Sequence, residues 1–82
     1  MATTLQINVD CGCQAVYWVR DSEWYSLLTI VPCKDHYSET EVKKTARQIS
    51  KFVAKQLPKY KQQIENRQPI LITATNKEVF NE

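Results

Sequence analysis

The apolar residues of this chain change period near its middle, and that change requires two kinds of secondary structure in one short polypeptide. Leu5, Ile7 and Val9 alternate with Thr4, Gln6, Asn8 and Asp10, the period-two pattern of a half-buried strand. Residues 14–20 and 24–31 are rich in β-branched and aromatic side chains, with the polar run Arg20-Asp21-Ser22-Glu23 between them. Beyond residue 38 the spacing becomes helical: Val42, Ala46, Ile49, Val53 and Leu57 recur on one face.

The boundaries carry their own signals. Gly12, the only glycine, sits at the first reversal, where a positive φ is needed. Pro32 cannot continue a central strand, so a loop is expected over 32–38. Ser38-Glu39-Thr40-Glu41 has the spacing of a capping box just before the helical run. Pro58 removes a helix hydrogen bond and is expected to end or kink the helix at Leu57; Tyr60 and Ile64 keep the helical phase, which predicts a kinked continuation or a second short helix starting at Pro58. Pro69 closes the helical region, and residues 70–74 read as a fourth strand.

The order predicts an α+β fold, βββαβ. Three strands form an antiparallel meander, one long amphipathic helix kinked at Pro58 packs on the sheet, and a short strand ends it. A simple hairpin puts Val16, Trp18, Tyr25 and Leu27 on one face of strands two and three. Ala15, Tyr17, Val19, Trp24, Leu28 and Ile30 then take the other. Both faces are apolar in this reading, and one helix covers only one of them. Residues 1–82 are expected to form one domain, with 76–82 a loose tail.

Composition narrows the class. With 43% hydrophobic and 24% charged residues the chain is too apolar to be disordered. No apolar run approaches the roughly 20 residues that span a bilayer. The first residues lack the basic and apolar regions of a secretory signal, so a soluble cytoplasmic protein with no membrane role is expected. A chain this short has a thin core, and small scaffolds are often reinforced by a metal, a disulfide or a second copy.

Three cysteines and the single histidine fall into two short pairs, Cys11-x-Cys13 and Cys33-x-x-His36. Three thiolates and an imidazole are a tetrahedral zinc set, and the meander supplies a reason for them to meet. Cys11 and Cys13 flank the turn between strands one and two. The far end of strand three returns to that same corner, and Cys33 and His36 lie just past it. One structural zinc is therefore the sharpest chemical reading. The alternatives are plain reduced thiols packed as small hydrophobes, or a Cys13–Cys33 disulfide or redox role.

Charge is unevenly spread although the total is only +2. Residues 1–38 hold two bases against four acids; residues 39–67 hold eight bases against three acids. On a helical wheel Lys44, Arg47, Lys51, Lys55 and, if the phase survives Pro58, Lys59 form one stripe opposite the apolar side. No acid occurs between residues 42 and 64. Such a stripe attracts phosphate backbones or acidic protein surfaces. Solvated helix faces are also commonly lysine-rich, and the pI of about 8.5 is modest for a dedicated nucleic-acid binder.

No glycine-rich loop, carboxylate cluster or second histidine points to catalysis. The expectation is a small non-enzymatic regulatory binding module that contacts nucleic acid or an acidic protein through its helix. The alternative is a protein-binding adaptor or inhibitor that uses an uncovered aromatic sheet face around Tyr17, Trp18, Trp24 and Tyr25, or a homodimer formed through that face.

Overall fold

The computed structural model describes residues 2–80. The first strand, β1 (Thr3–Val9), pairs antiparallel with β2 (Gln14–Val19), which pairs antiparallel with β3 (Tyr25–Val31). A helix, α1 (Glu39–Gln56), crosses the sheet and leads through a 3-10 turn (Leu57–Tyr60) into the short helix α2 (Lys61–Glu65). The chain then enters β4 (Ile70–Ala74) and ends in α3 (Asn76–Phe80).

The α+β class is as expected, but the sheet is mixed rather than an antiparallel meander with a strand appended. Its order is β3-β2-β1-β4, and β4 runs parallel to β1. The physical reason is the crossover. An 18-residue helix spans about 27 Å, enough to carry the chain over β2 and β1 to the far edge.

The turns form for local reasons. Between β1 and β2 the Gly12 N–H donates to the Val9 carbonyl at 2.9 Å, and the Val9 N–H to the Cys13 carbonyl at 2.8 Å. Gly12 has φ +110°, the conformation that closes a three-residue hairpin connection. Between β2 and β3, Asp21 Oδ1 accepts from the Glu23 and Trp24 N–H groups, both at 2.8 Å, an Asx turn. The Arg20 guanidinium lies 5.5 Å from the centre of the Trp24 ring above it.

The core lies between the sheet and α1. Leu5, Ile7, Ala15, Tyr17 and Val19 meet Ile49, Val53 and Leu57, all buried. Burial of each large aliphatic side chain contributes about 1.5–3 kcal/mol. Tyr17 satisfies its hydroxyl on Ser50 Oγ at 2.8 Å, and the Tyr25 hydroxyl donates to the Ser50 carbonyl at 3.3 Å. The two tyrosine rings pack edge to face with centroids 5.9 Å apart.

Three local expectations are corrected. Tyr25 and Leu27 do not share a face with Val16 and Trp18. A register shift between Val16 and Tyr17 puts Tyr25 opposite Val19 and Leu27 opposite Tyr17. The extra residue flips the alternation, as a bulge must. In place of one helix kinked at Pro58, the helical stretch divides into α1, the 3-10 turn and α2. Proline lacks the N–H that would continue the α-helical ladder, and it stands in the first turn of the 3-10 segment. Residues 76–80 are not a loose tail. They form α3 with Val79 and Phe80 buried, and residues 81–82 lie outside the described residues. Thr75 and Glu78 explain this helix. The Thr75 N–H and hydroxyl donate to Glu78 Oε1 at 3.0 Å, and the Glu78 N–H returns to Thr75 Oγ1 at 3.2 Å. That exchange is a complete capping box.

Candidate metal centre and basic helix face

Two turns build the centre. The β1–β2 turn presents Cys11 and Cys13 on either side of Gly12. A second turn, closed by the His36 N–H on the Cys33 carbonyl at 3.0 Å, brings Cys33 and His36 to the same end of the sheet. Pairing of Asn8 with Gln14 and of Gln14 with Val31 aligns the two turns. Gly12 is needed twice here. Its φ disfavours any side chain, and a Cβ on it would stand 3.3 Å from Cys33 Cβ.

His36 Nδ1 lies 2.9 Å from Cys33 Sγ, 3.4 Å from Cys13 Sγ and 3.8 Å from Cys11 Sγ. All four ligand atoms fall within 4.8 Å of one another. Metal–sulfur and metal–nitrogen bonds of about 2.3 and 2.0 Å at tetrahedral angles separate neighbouring ligand atoms by about 3.5–3.8 Å. The donor set is thus near the spacing at which it could hold one metal ion. No disulfide joins the cysteines, so the Cys13–Cys33 alternative is not formed.

The electrostatics are those of a buried, hydrogen-bonded thiol cluster. Burial pushes the Cys13 thiol up to about 12 and raises Cys11 as well. Burial also opposes the Cys33 thiolate, yet hydrogen bonds with His36, the Asp35 backbone and the neighbouring thiols outweigh it and bring Cys33 down to about 7. The Cys33 N–H donates to Cys13 Sγ at 3.3 Å. That contact suits a thiolate ligand, whose charge is stabilised by backbone donors.

A fifth residue completes the centre. Phe80 of α3 packs against the His36 imidazole, with centroids 4.8 Å apart and planes at 33°. α3 is tied to the same corner by Asp10, whose Oδ1 accepts from the Asn76 N–H at 2.8 Å. α3 thereby packs against the corner that holds the cysteine turn. The signal for this was present in the sequence as Thr75-Asn76-Lys77-Glu78 followed by Val79-Phe80.

The basic residues are exposed along α1: Lys44, Arg47, Lys51 and Lys55 all face outward, and Lys59 lies beyond them on the 3-10 turn. A groove of about 390 Å³ runs beside the stripe between α1 and α3, lined by Lys51, Lys55, Gln48, Gln56, Phe52 and Val79 together with Glu78.

Of the four aromatic residues expected at a partner surface, only the two tryptophans are exposed. Tyr17 is fully buried and Tyr25 half-buried, both engaged with Ser50. Trp18 and Trp24 are 42% and 45% exposed; Trp18 lies on the sheet face away from α1, and Trp24 at the hairpin turn.

Comparison of the chain with protein-family models, curated proteins and solved structures gives no match. Among the described residues no helix is long and apolar enough to cross a membrane.

Proposed function

We propose that this chain is a small regulatory binding module, held together by one structural zinc ion, that engages nucleic acid or an acidic protein surface through the exposed face of α1. The observation that carries this reading is the convergence of Cys11, Cys13, Cys33 and His36 on a common centre. A set of three soft thiolates and one imidazole favours zinc over hard cations. Four protein ligands fill a tetrahedral sphere and leave no position for substrate, so the ion's role is to fasten a short sheet. It ties the β1–β2 turn to the segment between β3 and α1 in a chain whose core is small.

A cysteine–histidine catalytic pair is the competing use of Cys33 and His36. Both side chains are nearly buried, at 8% and 9% exposure, whereas a nucleophile must meet its substrate. Three thiols sharing one imidazole nitrogen also suit a common ion better than a dyad.

With the metal in a structural role, the exposed run of like charge that stands out is the α1 stripe, Lys44, Arg47, Lys51 and Lys55. Lys44 to Lys55 covers about 16 Å of helix and meets the phosphate spacing of a polynucleotide without any base-reading motif. Contact with little sequence preference follows. Four phosphate contacts correspond to a log–log salt slope of about −3 to −4, or roughly a hundredfold loss of affinity between 50 and 200 mM salt. Fluorescence anisotropy with labelled single- and double-stranded oligonucleotides, and with polyglutamate as an acidic protein mimic, tests this. Binding with that slope, abolished by Lys51→Glu with Lys55→Glu, supports the reading. Salt-independent binding, or no binding to any of these polyanions, contradicts it.

A further inference from the structure

Most of the exposed large apolar side chains belong to one hairpin. Among the described residues Trp18, Trp24, Leu27, Leu28 and Val31 all belong to the β2–β3 hairpin, with Tyr37 and Leu71 elsewhere. β3 is also an edge of the sheet, so one row of its backbone N–H and C=O groups has no ladder partner within the sheet. Sheet proteins blunt such edges with lysine, proline, inward-pointing charge, very short strands or bulges. Of these devices β3 carries only a bulge, the register shift opposite Val16 and Tyr17, with Pro32 directly after the strand. Its seven residues hold no charge and no proline, and no charged residue occurs from Trp24 to Cys33.

We propose that β3 is a self-association edge: a second copy of this chain pairs its own β3 antiparallel to it and extends the sheet to eight strands. The occupant follows from charge. A polyanion finds no complement on an uncharged edge, and the basic stripe of α1 repels a second copy of itself. An isologous contact sets each surface patch against its own likeness, and the β3 edge can meet its likeness without opposing like charges. It buries Leu27, Leu28 and Val31 at the same time. The contact also supplies apolar burial to a chain whose single core is small.

The geometry of this pairing has a consequence for α1. The two-fold axis that relates antiparallel strands stands perpendicular to the sheet, so both α1 helices lie on the same side of the extended sheet. If the nucleic-acid reading holds, one assembly then presents two basic stripes on one surface. The self-association itself does not depend on that reading.

Light scattering coupled to size-exclusion chromatography, on zinc-loaded protein from micromolar to submillimolar concentration, is the test. The expected mass is twice the 9.6 kDa of one chain at the upper concentrations. Leu28→Lys, at a side chain 56% exposed, is expected to return the monomer mass with the far-UV spectrum unchanged. Val31→Lys serves as a second edge variant should Leu28→Lys fail to fold. Leu71→Lys on β4, at a side chain 63% exposed, is expected to stay dimeric. A monomeric wild type at every concentration overturns the proposal. So does a dimer that survives the folded edge variants, or one that is lost only with Leu71→Lys, which would put the contact on the open sheet face or the β4 edge.

Discussion

Phe80 rests on His36, with ring centroids 4.8 Å apart, so α3 is a supporting wall of the candidate metal centre. Groups that orient a ligand typically influence metal affinity by about 10–100-fold. Phe80→Ala is therefore expected to weaken zinc binding within that range, measured by competition with a chromophoric chelator. Unchanged affinity in a folded variant would show that the imidazole is held by its own turn alone.

Gly12 is the narrowest point of the same corner. Gly12→Ala forces a side chain into a left-handed backbone at φ +110° and brings its Cβ 3.3 Å from Cys33 Cβ. The expected cost is about 1–3 kcal/mol, read from the urea midpoint of the metal-free chain, with a further loss of metal affinity because the two turns are pushed apart.

The metal-free chain is expected to be most stable near pH 9 as far as its thiols are concerned. Cys13 is raised from 9.0 to about 12, so the fold holds that proton more tightly than the unfolded chain does. Its contribution is intact below pH 9 and disappears as pH rises toward 12. Cys33 is lowered from 9.0 to about 7, so its contribution is present above pH 9 and is lost as pH falls through 7. Zinc-bound thiolates carry no proton, so the loaded protein should lack the alkaline decline and lose stability more steeply in acid. Melting temperatures against pH, with and without chelator, check both limbs.

Arg67 occupies the left-handed region at φ +57°, one residue past the Asn66 cap of α2, where its N–H donates to the Ile64 carbonyl at 3.0 Å. A non-glycine residue is disfavoured there by about 1–2 kcal/mol, and glycine's extra freedom in the unfolded chain offsets part of the gain. Arg67→Gly is expected to stabilise by about 0.5 kcal/mol in a chemical denaturation series, while binding of polyanions through α1 is unaffected.

The convergence of Cys11, Cys13, Cys33 and His36 was legible because it depends on only two things the sequence carries, the spacing of those residues and the direction of a meander. The α1 core face and the Ser38 cap were legible for the same reason. Ser38 Oγ accepts from the Glu41 N–H at 3.3 Å, a contact within one turn of helix. What escaped was tertiary. Nothing in Ile70–Ala74 says that it will join β1 rather than β3, since either edge would accept it. The face assignment of Tyr25 and Leu27 depended on one inserted residue, which reverses every side chain beyond it. Thr75 and Glu78 did announce α3, but a capping box before so short an apolar pair is easily read as a tail.

The measurement that bears most directly on the account is native mass spectrometry of protein purified without added metal, before and after chelation, with the far-UV circular dichroism followed in parallel. One zinc ion per chain is expected, with a loss of ordered structure when it is removed. A metal-free mass, with a spectrum indifferent to chelator and to added zinc, would contradict that expectation and leave Cys11, Cys13, Cys33 and His36 as reduced side chains packed at a corner.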